Sequence, residues 1–304
     1  MKTPLALFAY NRPDHLRQTL EALTRCARLE ECDVYIFCDA PKQEEQRPKV
    51  EAARRVAREY EKMLCATLVE RQTNVGLARS IAGETTNLCE RYGRAIIVED
   101  DLIVSPNFVN FMLSALDFYQ NAEQVCQISG YRFPMSHQPE SDAFFLPLIS
   151  SWGWATWQRS WKFFEWQPTG MKEVLENNSM RSKFDLDNSF SFSKMLRARL
   201  NEQNDSWAIL WWYIVFRKRG LVLYPSRSLV WNAGIDGSGT HPQRNLWQES
   251  LEVIMSMPQK QFALPDVPQV DERILADVKR FSRAQRNLER SPLTRLWQRV
   301  HRFF

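Results

Sequence analysis

The sequence predicts an α/β fold, a mostly parallel sheet flanked by helices. Two observations predict it. Apolar runs of strand length alternate with amphipathic, helix-length segments from Pro4 to Tyr119. The runs are apolar throughout, as strands covered on both faces must be. A third observation concerns where the runs end. Asn11 and Arg12, then Asp39, then Glu99, Asp100 and Asp101 each stand just past one of them. In an open parallel sheet those carboxyl ends face a common crevice, where ligands bind.

The elements follow in order. "PLALFAY" is a strand that breaks at Asn11, and Pro13 suits the first helical turn. Leu16, Leu20 and Leu23 then recur at helical spacing. "DVYIFCD" is a second strand, and a charged helix runs roughly from Glu44 to Met63. "CATLVER" is a third strand, and Leu77 to Tyr92 is a helix. "RAIIVED" is a fourth strand, and Ser105-Pro106 opens a helix with Phe108, Phe111, Met112, Ala115 and Tyr119 inward. "VCQISGY" and "DAFFLPLIS" are strands, followed by a Trp-rich stretch and helical segments to about Leu200. "NDSWAILWWYIVFRKRG" is a helix capped by Asn204 or Asp205 and stopped by Gly220. "LVLYPSRSLVWNAGIDGSGTH" is strand, turn, strand and a Gly-rich loop.

The organisation expected is one large domain in two halves, 1–130 and 131–262. Residues 263–304 form a linker and a basic tail, with the boundary at Phe262 to Asp271. From Lys279 to Phe304 there are eight Lys/Arg against one acid, so the rest of the chain is slightly acidic. That distribution argues against nucleic acid as a partner, which needs a basic groove on the body. The segment Ser291 to Phe304 places Leu293, Leu296, Trp297, Val300 and Phe304 on one helical face and arginines on the other. It suits either an anionic membrane surface or packing on the domain. The longest apolar run, Ala208 to Phe216, is too short to span a bilayer. Six cysteines without a CxxC pair read as buried reduced thiols, not zinc ligands. The expected place is therefore the cytoplasm, peripheral at the inner face of the membrane.

Three adjacent carboxylates at a strand end repel each other. A divalent cation, Mn2+ or Mg2+, relieves that repulsion, and such ions bridge carboxylates to substrate phosphates. The other reading is a solvated strand end. Arg79, near a helix start, suits a diphosphate, or is a solvated helix residue. Trp152, Trp154 and Trp157 suit stacking on sugar faces, or are core.

"IIVEDDLIVSPNF" resembles the metal motif of nucleotide-sugar glycosyltransferases of the GT-A fold, closest to the N-acetylglucosaminyltransferase I-like branch and bacterial family 2-like sugar transferases. "YNRPDHLRQTLEAL", "CDAP", "GWATW", "NDSWAILWW" and "NAGIDGSGTH" resemble its other segments in order. The resemblance implies a GT-A-like fold and a metal-dependent, inverting transfer from a UDP-sugar to a saccharide or lipid-linked saccharide, in bacterial surface polysaccharide assembly. It implies that Asp101 ligates the metal, Asp100 holds the ribose and Glu99 faces the donor sugar. Arg12 and Asp39 would hold the uracil. Asp205 would be the general base, desolvated by Trp207, Trp211 and Trp212, with Asp187 and Asp236 as rivals and a plain helix cap as the alternative. His241 would complete the metal site, or be a loop histidine bonded to backbone. Trp154 would contact the sugar. Two other functions compete: a nucleotidyltransferase, disfavoured because "AYNRPDH" has no glycine, and a non-catalytic carbohydrate-binding protein that kept the fold.

Overall fold

The computed structural model describes residues 2–236, 250–255 and 261–290, without the side chains of 235, 236, 253 and 288–290. The strands are β1 (Thr3–Ala9), β2 (Cys32–Cys38), β3 (Thr67–Glu70), β4 (Arg94–Glu99), β5 (Leu102–Val104), β6 (Val125–Ser129), β7 (Ala143–Leu146), β8 (Trp154–Trp157), β9 (Leu221–Pro225) and β10 (Val230–Asn232). The helices are α1 (Pro13–Leu23), α2 (Arg47–Met63), α3 (Leu77–Tyr92), α4 (Phe108–Phe118), α5 (Gln158–Trp161), α6 (Met171–Glu176), α7 (Asn178–Phe184), α8 (Phe192–Leu200), α9 (Trp207–Arg217), α10 (Leu251–Met255) and α11 (Glu272–Arg290).

The main sheet has the order β3-β2-β1-β4-β8-β6-β9-β7. Strands β3, β2, β1 and β4 are parallel to their neighbours, as are β6 and β9. The expected α/β class and mostly parallel sheet are therefore observed. Alternation inside β1 explains its unbroken apolar run. Leu5 and Leu7 pack with α1 and α2, while Ala6 and Phe8 pack with α3 on the opposite face. Both faces are buried, so neither set of side chains can be polar.

Two strands were not expected, the short β5 and a strand in the Trp-rich stretch. "WATW" forms β8, antiparallel between β4 and β6. Gly153 admits the turn into it, with φ +56°; a Cβ there would meet Val230 at 2.8 Å and Phe108 at 3.0 Å. The strand sits mid-sheet, so the Trp154 side chain is wholly buried and stacks on Trp207 at 5.1 Å. The expectation that Trp154 touches a sugar is corrected here: helices cover both faces of the sheet at this point, and its indole is core.

The helix after Asp205 is capped by Ser206, whose hydroxyl accepts from the Ile209 N–H, and not by Asn204 or Asp205. The segment read as a boundary, 262–271, lies along the sheet edge. The Asp142 N–H donates to the Ala263 carbonyl and the Ala263 N–H to the Asp142 carboxylate, Val270 bridges to Phe145, and the Tyr119 hydroxyl donates to the Pro265 carbonyl at 2.6 Å. Beyond it, α11 buries Ile274, Leu275 and Val278. No described helix is long and apolar enough to cross a membrane. Residues 291–304, which carry the amphipathic face expected to meet a membrane, lie outside the described residues.

Five cysteines are buried and only Cys65 is exposed. Burial pushes the Cys26, Cys32 and Cys38 thiols up to about 12. The thiolate is the reactive form. A thiol reagent at neutral pH is therefore expected to label one cysteine of the native chain quickly and all six only after denaturation. Counting released chromophore checks this, and a second fast thiol would contradict the packing.

Candidate active site

The chain runs from β1 outward to β2 and β3, then returns to place β4 on the other side of β1. The crevice at this reversal opens at the carboxyl ends of β1 and β4. Arg12 follows β1, and Glu99 ends β4 with Asp100 and Asp101 in the turn after it. The Arg12 guanidinium spans the acids. Nη2 reaches Asp100 Oδ1 at 2.7 Å and Nη1 reaches Asp101 Oδ2 at 3.1 Å. Asp100 Oδ2 also accepts from the Tyr10 N–H at 3.2 Å, and its carbonyl accepts from the Thr19 hydroxyl. These bonds order the triplet: Asp100 is buried, while Glu99 and Asp101 face the cleft.

The charges follow from this geometry. Burial raises the Asp100 pKa to about 6, against the pull of Arg12. Burial, then Asp101 and Asp100, push Glu99 up to about 8. The raised pKa lets Glu99 keep its proton more readily than an ordinary carboxyl. Three acids around one guanidinium leave the pocket acidic.

A second, small sheet completes the site. β10 pairs antiparallel with β5, and the Ala233 N–H donates to the Asp101 carbonyl at 2.8 Å. This pairing carries Asn232 and Gly234 to the acids across some 130 residues of sequence. A Cβ on Gly234 would stand 2.4 Å from Asp101 Oδ2 and 3.0 Å from Arg12 Nη1. Gly234→Ala should therefore displace the Asp101 carboxylate while the chain stays folded. If a nucleotide-sugar is held there, its affinity should fall roughly tenfold or more. Calorimetric titration with a nucleotide-sugar checks it, with a melting curve as the folding control; unchanged affinity would show that the Asp101 position is not used.

The donor set at Asp101 is hard oxygen, which suits Mn2+ or Mg2+. Among the described residues no group of three His, Cys, Asp or Glu is arranged to hold a metal by itself. The residues present fit an ion that takes one carboxylate from the protein and its other ligands from a diphosphate and water. The residual negative charge fits the same arrangement. His241, expected as a further ligand, lies outside the described residues, as does the side chain of Asp236.

The other expected residues are placed as follows. Asp39 is buried at the end of β2, and both its oxygens are occupied. They accept from the N–H groups of Ala40, Val75 and Gly76 and from the Asn74 amide. Asp39 thus fixes the loop that opens α3. Arg79 is exposed in the first turn of α3. Asp205 is exposed just before α9, whose Ala208 and Ile209 line the cleft. The desolvation expected for Asp205 is corrected: Asp205 itself is exposed, Trp207 and Trp211 turn into the core, and Trp212 lines the cleft from within the helix. Asp187 is held by Lys279 at 2.7 Å.

The cleft encloses about 630 Å³. Sequence reasoning missed much of its lining. Tyr131 and Phe133 follow β6, Phe190 precedes α8 and Phe192 opens it, and α11 contributes Val278 and Phe281. The signal for the first four was aromatic residues in polar loops, where no core periodicity asks for them. For α11 there was none, because its apolar positions read as a tail.

No protein-family model and no curated protein matches the chain. Among solved structures it is similar to S. aureus TarS 1–349, with 11% identity, a TM-score of 0.43, and 77% of this chain and 61% of that one covered. It covers 25% of another TarS chain. It is similar to the mannosyltransferase PcManGT from Pyrobaculum calidifontis in complex with GDP-Man and Mn2+, with 11% identity, a TM-score of 0.40, and 72% and 69% covered. It is similar to mouse xyloside xylosyltransferase 1, with 12% identity, a TM-score of 0.37, and 71% and 81% covered. At such identities and scores these likenesses carry no functional weight, and the chemistry of the cleft must carry it.

Proposed function

We propose that the protein is an inverting glycosyltransferase that moves a sugar from a UDP-sugar to a hydroxyl of a saccharide or lipid-linked saccharide. The observation that supports this best is the acidic triplet at the sheet's reversal point, partly neutralised by Arg12 and opening into a large cleft. An acidic pocket suits a cation arriving with a diphosphate. Surface polysaccharide assembly in a bacterium is the proposed setting, at the inner face of the membrane.

In this proposal Asp101 holds Mn2+ or Mg2+, and the ion, when bound, supplies positive charge to the departing diphosphate. Asp100, buried with its oxygens on Tyr10 and Arg12, positions the Arg12 guanidinium and does not take the ribose contact expected of it. Glu99, at the cleft with its pKa raised by burial, faces a hydroxyl of the donor sugar. Asp39 serves the base through the loop it holds, and Arg79 meets the diphosphate from the start of α3. Asp205 takes the proton of the acceptor hydroxyl. The acceptor oxygen then bonds to the anomeric carbon as the bond to the diphosphate breaks, and UDP leaves.

Two results test this. UDP release from a panel of nucleotide-sugars, with Mn2+ added and then chelated, should identify a turned-over donor. Failure to bind or turn over any donor defeats the proposal. Asp205→Asn should lower turnover by about a hundredfold to ten-thousandfold while donor affinity stays within about twofold. Full activity in that variant would move the base to another acid.

A further inference from the structure

The cleft has two unlike ends. At one stand Arg12, Glu99 and Asp101. Away from them runs an unbroken line of rings. Trp152 meets Tyr131 at 4.6 Å, Tyr131 meets Phe133 at 5.2 Å and Phe133 meets Phe190 at 6.2 Å. Phe190 then stacks on Phe192 at 4.8 Å, and Phe192 meets Trp212 at 5.6 Å. All six line the cleft. Facing them are Val278 and Phe281 of α11, and Met195 of α8, which is 43% exposed.

Three of the polar side chains along this wall, Ser150, Ser282 and Arg286, turn toward protein. The Ser150 hydroxyl accepts from the Trp152 N–H, and the Ser282 hydroxyl donates to the Ser189 carbonyl. The Arg286 guanidinium donates to the carbonyls of Asn188 and Phe190. A polyhydroxylated ring seated here would lose water from several hydroxyls and find few replacement partners. An apolar body would lose nothing and gain contact with rings.

The α11 contacts also explain how this wall is held. Leu186, Asp187 and Asn188 run in the left-handed region, with φ of 47°, 55° and 59°. Such a run of non-glycine residues persists only where surrounding structure over-determines it. Here α11 does so, through Arg283 on the Asp187 carbonyl and Arg286 and Ser282 on the next three. The turn delivers Phe190 and Phe192 to the cleft.

We infer that the acceptor is an amphiphile, with its hydroxyl-bearing head at the acidic end and an apolar body along the aromatic wall. This rests on the transferase proposal for the acidic end; the wall's preference for an apolar body can be measured without it. Alkyl β-glucosides from ethyl to octyl, each below its micelle-forming concentration, are titrated by calorimetry into the full chain, with glucose as reference. Affinity should rise about threefold to fourfold per added methylene. Phe281→Ser should flatten that series with nucleotide-sugar affinity unchanged. Should that variant melt, Met195→Ser, at a half-exposed position, serves in its place. A flat series in the wild-type chain, or glucose binding as tightly as the octyl glucoside, overturns the inference. A steep series that neither variant alters overturns it too, because the apolar contact then lies elsewhere. A chain that binds the glucosides but no nucleotide-sugar keeps the apolar subsite and loses the transferase proposal.

Discussion

Asp101→Asn should abolish cation-dependent donor binding and cut turnover by about a hundredfold to a thousandfold or more. The substitution keeps the side chain's size, so Gly234 still packs against it, and Arg12 keeps its 2.7 Å bond to Asp100. What disappears is one negative charge at the mouth of the cleft. Calorimetry with a UDP-sugar, with and without Mn2+, separates this from misfolding, and UDP release gives the rate. If donor and metal binding both survive, the triplet is a structural feature and the transferase proposal falls.

Asp277→Ala should lower stability by about 3 kcal/mol. Asp277 is the buried anchor of α11. One of its oxygens accepts from the N–H groups of Ser136 at 2.6 Å and His137 at 2.7 Å and from the His137 ring at 2.9 Å. The other accepts from Arg280 at 2.9 Å. Removing the carboxylate leaves two backbone donors without that acceptor, and a buried donor without a partner is costly. Burial by itself would raise this acid's pKa, but the His137 and Ser136 donors outweigh it and hold it below the ordinary value. The sign follows: a carboxyl depressed in the folded chain stabilises fully above its unfolded pKa, near 4, and loses that contribution as pH falls through the folded value. Urea midpoints measured from neutrality into acid should therefore fall more steeply for the wild-type chain than for Asp277→Asn. Parallel curves would show that the carboxylate contributes no charge-dependent stability. Because α11 walls the cleft, loosening it should also weaken binding at the aromatic end.

The first half of the fold was legible because its signals are local. Apolar runs, Pro13 at a helix start and the bounds of α3 from Leu77 to Tyr92 depend on neighbours a few residues away. The acidic residues at the end of β4 were legible for the same reason: a polar cluster after a buried strand needs a cause. "WATW" misled because two tryptophans three residues apart suit a strand, a buried helix or a sugar platform equally well. Only its insertion between β4 and β6 decides that Trp154 is core.

The sequence by itself determined the fold class and the carboxylates at the crevice, since periodicity and strand ends are written in adjacent residues. The tertiary structure alone decided three things. It gave Arg12 to Asp100 and Asp101, occupied Asp39 with the loop before α3, and brought Asn232, Gly234 and α11 to the cleft. Each is a contact between residues far apart in the chain. Such contacts depend on which surfaces pack together, and no local pattern of residues records that choice.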